Sequence, residues 1–116
     1  MSVDSLLKAK SMEFAKRIVS LYKYLCKEHR EYVMSNQILR SGTSIGANIT
    51  EAVYGSSRKD FAAKLQIARK EAAETIYWLE LLHSSDYIPT NLFNSIISDC
   101  KDLISMLTSA IKTVQE

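Results

Sequence analysis

Apolar side chains recur at steps of three and four in four successive stretches of this chain, separated by short polar breaks, the pattern of amphipathic helices. The first spans Val3 to about Lys27, where Leu7, Phe14, Ile18, Leu21 and Leu25 trace the apolar face and Ala15, Val19 and Tyr22 widen it. His29 to Met34 has neither clean periodicity nor a strong breaker, so it reads as a connection, with Ser35 as the side-chain cap of the next helix. The second stretch, Gln37 to Tyr54, sets Ile38, Ile45, Ile49, Ala52 and Val53 at helical spacing among small residues: Ser41, Gly42, Thr43, Ser44, Gly46 and Ala47. Two glycines inside one helix cost about 1 kcal/mol each relative to alanine. Close approach of another backbone is the physical candidate for offsetting that cost. Arg40, Ser44, Asn48 and Glu51, at steps of four, four and three, add a polar stripe. The expected element is a central helix packed on more than one side.

Gly55-Ser56-Ser57 is the clearest turn, with Gly55 suited to a left-handed C-terminal position, Ser56 or Ser57 to a cap, and Asp60 to a partial capping box. The third helix, Arg58 to about Ser84, repeats Phe61, Leu65, Ala68, Ala72, Thr75, Leu79 and Leu82 at alternating steps of four and three, a bundle seam. Ile67, Trp78 and Leu81 fall off that seam and suggest a second buried surface. Pro89 blocks continuation, and Thr90 or Asn91 is available to cap a fourth helix, Asn91 to about Val114. That last face is almost wholly apolar: Phe93, Ile96, Ile97, Cys100, Leu103, Ile104, Leu107, Ile111 and Val114. Four helices of similar length joined by short loops predict an all-α, antiparallel up-down-up-down four-helix bundle. Residues 1–116 fit one domain, large enough to bury about two thirds of its unfolded surface.

Charge changes this picture by being unevenly placed. Residues 1–70 hold 13 of the 15 basic side chains and 6 of the 13 acidic ones, whereas residues 71–116 hold 2 and 7. Lys16, Lys23, Lys27 and Arg30 come close to one line on the first helix, a stripe suited to phosphate but without the alternating aromatics of a stacking platform. No run approaches the roughly 20 apolar residues of a membrane span, and no basic start leads into an unbroken apolar core, so a cytoplasmic protein is expected. Cys26 and Cys100 lie on apolar faces without metal-ligand spacing and read as reduced core thiols.

Catalytic and cofactor chemistry find little footing. There is no Gly-rich phosphate loop and no nucleophile with a base at meaningful spacing. Asn48, Glu51, Glu71 and Glu74 could begin a carboxylate metal site, but the Glu-x-x-His pairs of such bundle cores are missing, since His29 and His83 sit near helix ends. The expectation is a non-enzymatic chain with no metal and no cofactor. Arg40, Ser44, Asn48 and Glu51 are instead expected to hydrogen-bond with Glu74, Thr75 or Arg69 on the third helix, or across a subunit interface.

The run Gln37-Ile38-Leu39-Arg40-Ser41-Gly42-Thr43-Ser44-Ile45-Gly46-Ala47-Asn48-Ile49-Thr50-Glu51-Ala52 resembles the hallmark of bacterial four-helix-bundle proteins encoded in intervening sequences of large-subunit ribosomal RNA genes. Lys59-Asp60-Phe61, Leu65 to Ala72, Glu74-Thr75 and Leu79 resemble that family's third helix. The resemblance covers essentially the whole chain. It implies a homopentameric ring, and, through a related branch that resembles the accessory variability protein of diversity-generating retroelements, binding to RNA and to a reverse transcriptase.

The reading that follows is a homo-oligomeric scaffold binding RNA or DNA backbone, or a nucleoprotein partner, through Lys16, Lys23, Lys27, Arg30, Arg58, Lys59 and Lys64. The alternative is a structural protein-protein interaction module whose basic and acidic faces pair between subunits.

Overall fold

The computed structural model describes residues 3–115 as four helices and no strand: α1 (Val3–His29), α2 (Val33–Val53), α3 (Arg58–Ser84) and α4 (Thr90–Gln115). Each helix packs against its neighbours in chain order, and α4 closes back on α1, as an up-down-up-down bundle requires. The molecule measures 44 × 22 × 21 Å. The starts of α1 and α3 therefore share one end, and their last turns share the other.

The core is the set of residues picked out by periodicity. Leu7, Phe14, Ile18, Leu21 and Leu25 of α1 meet Ile38, Ile45, Ile49 and Ala52 of α2, Leu65, Ala68, Ala72, Leu79 and Leu82 of α3, and Ile96, Cys100, Leu103, Leu107 and Ile111 of α4. On the α3 seam only Phe61, at the open end, stays half-buried. The second buried surface expected from Ile67, Trp78 and Leu81 is not filled within the chain, because Ile67 is 43% exposed and the other two are half-buried. Two polar groups inside the core satisfy each other: the hydroxyls of Thr75 and Ser41 share a hydrogen bond at 2.9 Å, and Thr75 Oγ1 also lies 2.8 Å from the Glu71 carbonyl oxygen.

The two glycines of α2 answer to α1. A Cβ at Gly42 would stand 2.8 Å from both Cγ atoms of Ile18, and one at Gly46 would stand 3.2 Å from Ser11 Oγ and 3.5 Å from the Ser11 carbonyl oxygen. Ser11 is itself buried, its hydroxyl donating to the Lys8 carbonyl at 3.0 Å. The close approach that the small residues imply is therefore with α1, and it offsets the propensity cost by letting the β-branched Ile18 seat against bare backbone at Gly42 and Ser11 at Gly46.

The connections differ from expectation in their chemistry. α1 runs on to His29, where Arg30 enters the left-handed region (φ 49°) and Glu31 N–H folds back to the Leu25 carbonyl oxygen. Ser35 is not the cap of α2; it lies buried in the first turn, its hydroxyl donating to the Glu31 carbonyl at 2.7 Å. The cap is the carboxylate of Glu31, which accepts the backbone N–H groups of Val33 and Met34 at 3.0 Å and of Ser35 at 2.8 Å, placing an anion where the helix dipole favours one.

Between α2 and α3, Ser57 is the cap, its hydroxyl accepting Asp60 N–H at 3.0 Å. Gly55, however, does not take a left-handed conformation. A Cβ there would stand 3.1 Å from the Ala52 carbonyl oxygen and would push the Asp60 carboxylate aside. The left-handed residue in the later turn is Asp86 (φ 67°), with Tyr87 N–H bonded to the Leu82 carbonyl in a Schellman arrangement. Thr90 begins α4 one residue earlier than expected, and its hydroxyl pairs with His83 Nε2 at 3.1 Å.

Two substitutions test this packing. Gly42→Leu forces Ile18 or the whole of α1 to move and should cost about 1–3 kcal/mol, lowering the thermal midpoint by several degrees; Gly46→Ala, with softer neighbours and a gain in helix propensity, should stay within about 1 kcal/mol of the parent. Equal melting curves for parent and Gly42→Leu would remove the steric reason for that glycine. Glu31→Ala exposes three amide donors of α2 and should cost about 1 kcal/mol in chemical denaturation, with the loss absent if water replaces the carboxylate without penalty.

Candidate nucleic-acid interface

The outward face of α1 carries Lys16, Lys23 and Lys27, spaced seven and four apart and all exposed. Lys16 pairs with Glu13 on its own helix at 3.2 Å, a surface contact with little holding power. Arg30 follows at the tip of the bundle, in the left-handed turn. Arg58, Lys59 and Lys64 belong to the first turns of α3 and so lie at the opposite end of the 44 Å axis from Lys23, Lys27 and Arg30. The seven residues therefore form two groups, with Lys16 midway, rather than one patch. Lys64 is further engaged by Glu51 at 3.5 Å across the α2–α3 seam.

The polar stripe of α2 resolves into local and cross-helix contacts. Arg40 reaches α3, pairing with Glu71 at 2.9 Å and with Glu74. Glu74 in turn accepts the indole N–H of Trp78 at 2.9 Å. That indole bond, joined by the Arg40 guanidinium, holds the Glu74 carboxyl below the usual carboxylate range; the same pairing raises Arg40 above the ordinary arginine value. Ser44 and Asn48 stay within α2, donating to the Arg40 and Ser44 carbonyl oxygens at 2.6 and 2.9 Å. Arg69 faces away from this cluster altogether, onto α4, where Nη1 lies 3.5 Å from Thr108 Oγ1. Trp78 was not part of the sequence-derived set; its step of four from Glu74 was the available signal.

The remaining seam, α1–α4, holds an open cleft of about 180 Å³ spanned by the Arg17–Asp99 ion pair at 2.7 Å. Cys100 lies in the core beside the Ala72 carbonyl oxygen (3.4 Å), and burial pushes its thiol up to about 12, so it stays protonated; Cys26 is also a free thiol. Glu71 and Glu74 commit their carboxylates to Arg40 and Trp78, and among the described residues no group of three or more His, Cys, Asp or Glu side chains is placed to hold a metal ion. No helix of the described residues is long and apolar enough to cross a membrane.

Comparison with known proteins bears on this surface. A crystal structure of a protein with unknown function from the S23 ribosomal protein family, from Bacteroides thetaiotaomicron, superimposes with a TM-score of 0.94 at 56% sequence identity, covering 96% of this chain and 99% of that one. No curated protein sequence matches. The model of the 23S rRNA-intervening sequence protein family matches residues 4–109, which take in α2 and α3 and most of α1 and α4, and the chain belongs to that family.

Proposed function

We propose that this protein is a non-enzymatic, self-associating cytoplasmic scaffold that binds nucleic acid backbone, or a nucleoprotein partner, through its outward basic residues. The observation that carries this reading is where the ion pairs lie. Among the described residues the pairs that cross between helices engage Arg17, Arg40 and Lys64 in the seams, while Lys23, Lys27, Arg30, Arg58 and Lys59 face outward without a carboxylate partner. Cations left unneutralised on an outer surface create a potential that draws polyanions and release counterions when phosphates replace them. The family's name refers to 23S rRNA and the Bacteroides protein is placed in a ribosomal protein family, which favours RNA as the polyanion. A homopentamer, and a reverse transcriptase as the nucleoprotein component, rest on the resemblance described above.

A purely protein-binding module is the second reading, favoured by the exposed large apolar side chains Ile67 (43% exposed) and Tyr77 (57% exposed) of α3. In that case the outward charges pair between subunits.

The two readings separate in one experiment: fluorescence anisotropy of labelled RNA and DNA with the purified protein across a salt series, with its mass in solution measured alongside. The expected outcome is an oligomer that binds at low salt with little sequence preference and loses affinity linearly in log–log form as salt rises. An oligomer that binds neither RNA nor DNA at low salt refutes the nucleic-acid reading and leaves the protein-binding one.

A further inference from the structure

Two open clefts, about 310 and 320 Å³, adjoin at Gln115 along the α3–α4 seam. Their rims carry Arg58, Lys59, Arg69 and Lys112, and their apolar lining is Ala62, Ala63, Ile111 and Val114; among the described residues no Asp or Glu lines either cleft. The two guanidinium groups are held over this groove only by neutral oxygens at the limit of hydrogen bonding, Arg58 by the Val114 carbonyl and Arg69 by the Thr108 hydroxyl, both at 3.5 Å. The contrast with Arg17 and Arg40 is direct, since each of those is charge-matched by a carboxylate.

Four carboxylates of this half turn elsewhere. Glu71 and Glu74 face Arg40 on α2, and Asp99 and Asp102 line the α1–α4 cleft. Conversely, Lys101 and Lys112, the only basic residues after position 70, fall seven before and four after Thr108, on the α4 face that meets Arg69. From Lys101 to Lys112 that row runs roughly 16 Å along the helix at about 1.5 Å per residue, and Arg58 and Arg69 run parallel to it on α3.

We propose that the α3–α4 groove is a phosphodiester-binding track for a single nucleic-acid strand, with Arg58, Arg69, Lys101 and Lys112 as its phosphate contacts. This rests on the nucleic-acid reading above and narrows it to a surface that includes neither the α1 stripe nor Lys64. An acidic peptide is the competing occupant of a basic groove, but a docked peptide draws its affinity from large apolar or aromatic anchors in pockets, and this lining offers small aliphatic groups, Ala62, Ala63, Val114 and Ile111, and no aromatic one. A phosphate backbone needs no such anchor. Guanidinium forks match its oxygens in pairs, and Gln66, Gln115 and Thr108 add neutral donors without sequence reading.

The test compares three multiple variants with the parent in anisotropy titrations of a labelled 20-nucleotide single-stranded RNA of mixed sequence: R58Q/R69Q/K112Q in the groove, K101Q/K112Q as exposed lysines that make no contact needed for folding, and K16Q/K23Q/K27Q on α1. Circular dichroism and solution mass confirm the assembly of each. The expected result is at least a tenfold loss for the groove triple variant, with the log–log salt slope reduced by about 2, since each lost phosphate contact on a single strand removes about 0.7. K101Q/K112Q should lose severalfold, and the α1 variant threefold or less.

Loss confined to the α1 variant overturns the groove while leaving nucleic-acid binding intact. No parental RNA binding overturns both, and binding of labelled poly-glutamate in its place assigns the groove to an acidic protein segment. Should the triple variant fail to fold, an unchanged titration for K101Q/K112Q is sufficient to overturn the track.

Discussion

The seat of α1 on α2 is the contact on which the geometry of the bundle depends. At Gly42 the backbone of α2 lies bare beneath Ile18, and one turn further on Gly46 lies beneath Ser11. Any side chain at the first position would lever the two helices apart, because Ile18 is β-branched and stiff. Pressed together there, the helices leave the opposite flank of α2 to α3, where the Ser41–Thr75 hydrogen bond inside the core and the Arg40 pairs at its edge fix the axial register. A polar pair in an apolar interior disfavours sliding, since a shift of one turn would break the Ser41–Thr75 bond and leave each hydroxyl only a carbonyl of its own helix.

Electrostatics are sorted by that same packing. Two of the four seams consume carboxylates: α2–α3, with Glu71 and Glu74 beside Arg40 and Glu51 beside Lys64, and α1–α4, with Asp99 beside Arg17. What the seams consume is no longer available to the outer surface. The uneven distribution of charge along the chain is thereby converted into surfaces where cations stand without counterions, on the outer face of α1 and in the α3–α4 groove. The first is a line on one helix, and the second is a shallow seam with arginines on the α3 side and Lys112 on the α4 side.

Membership of the 23S rRNA-intervening sequence protein family fits this architecture without dictating what the surface binds. Among the described residues the buried polar groups of the core, Ser11, Ser35, Ser41 and Thr75, each satisfy a neighbouring backbone or hydroxyl partner. Variable chemistry is left to the exposed positions, where phosphate contact asks only for charge and reach.

Periodicity alone determined that there are four helices, where each begins and ends to within a few residues, and which side chains form the core, because burying an apolar face is a property of the local pattern. The small residues of α2 also announced a close approach. Which helix approaches was decided by the tertiary structure. Ser57 was legible as the cap of α3, whereas the cap of α2 was not, because glutamate lies outside the usual capping residues even though Glu31 bonds amides only two to four residues away. The basic residues show the same division. Spacing along α1 aligned Lys16, Lys23 and Lys27, but antiparallel topology then sent Arg58, Lys59 and Lys64 to the far end from Lys23, Lys27 and Arg30, and turned Arg69 from α2 toward α4. Helical spacing fixes neighbours within one helix, whereas neighbours across helices are set by rotation and register in the packed bundle, quantities that no single stretch of sequence contains.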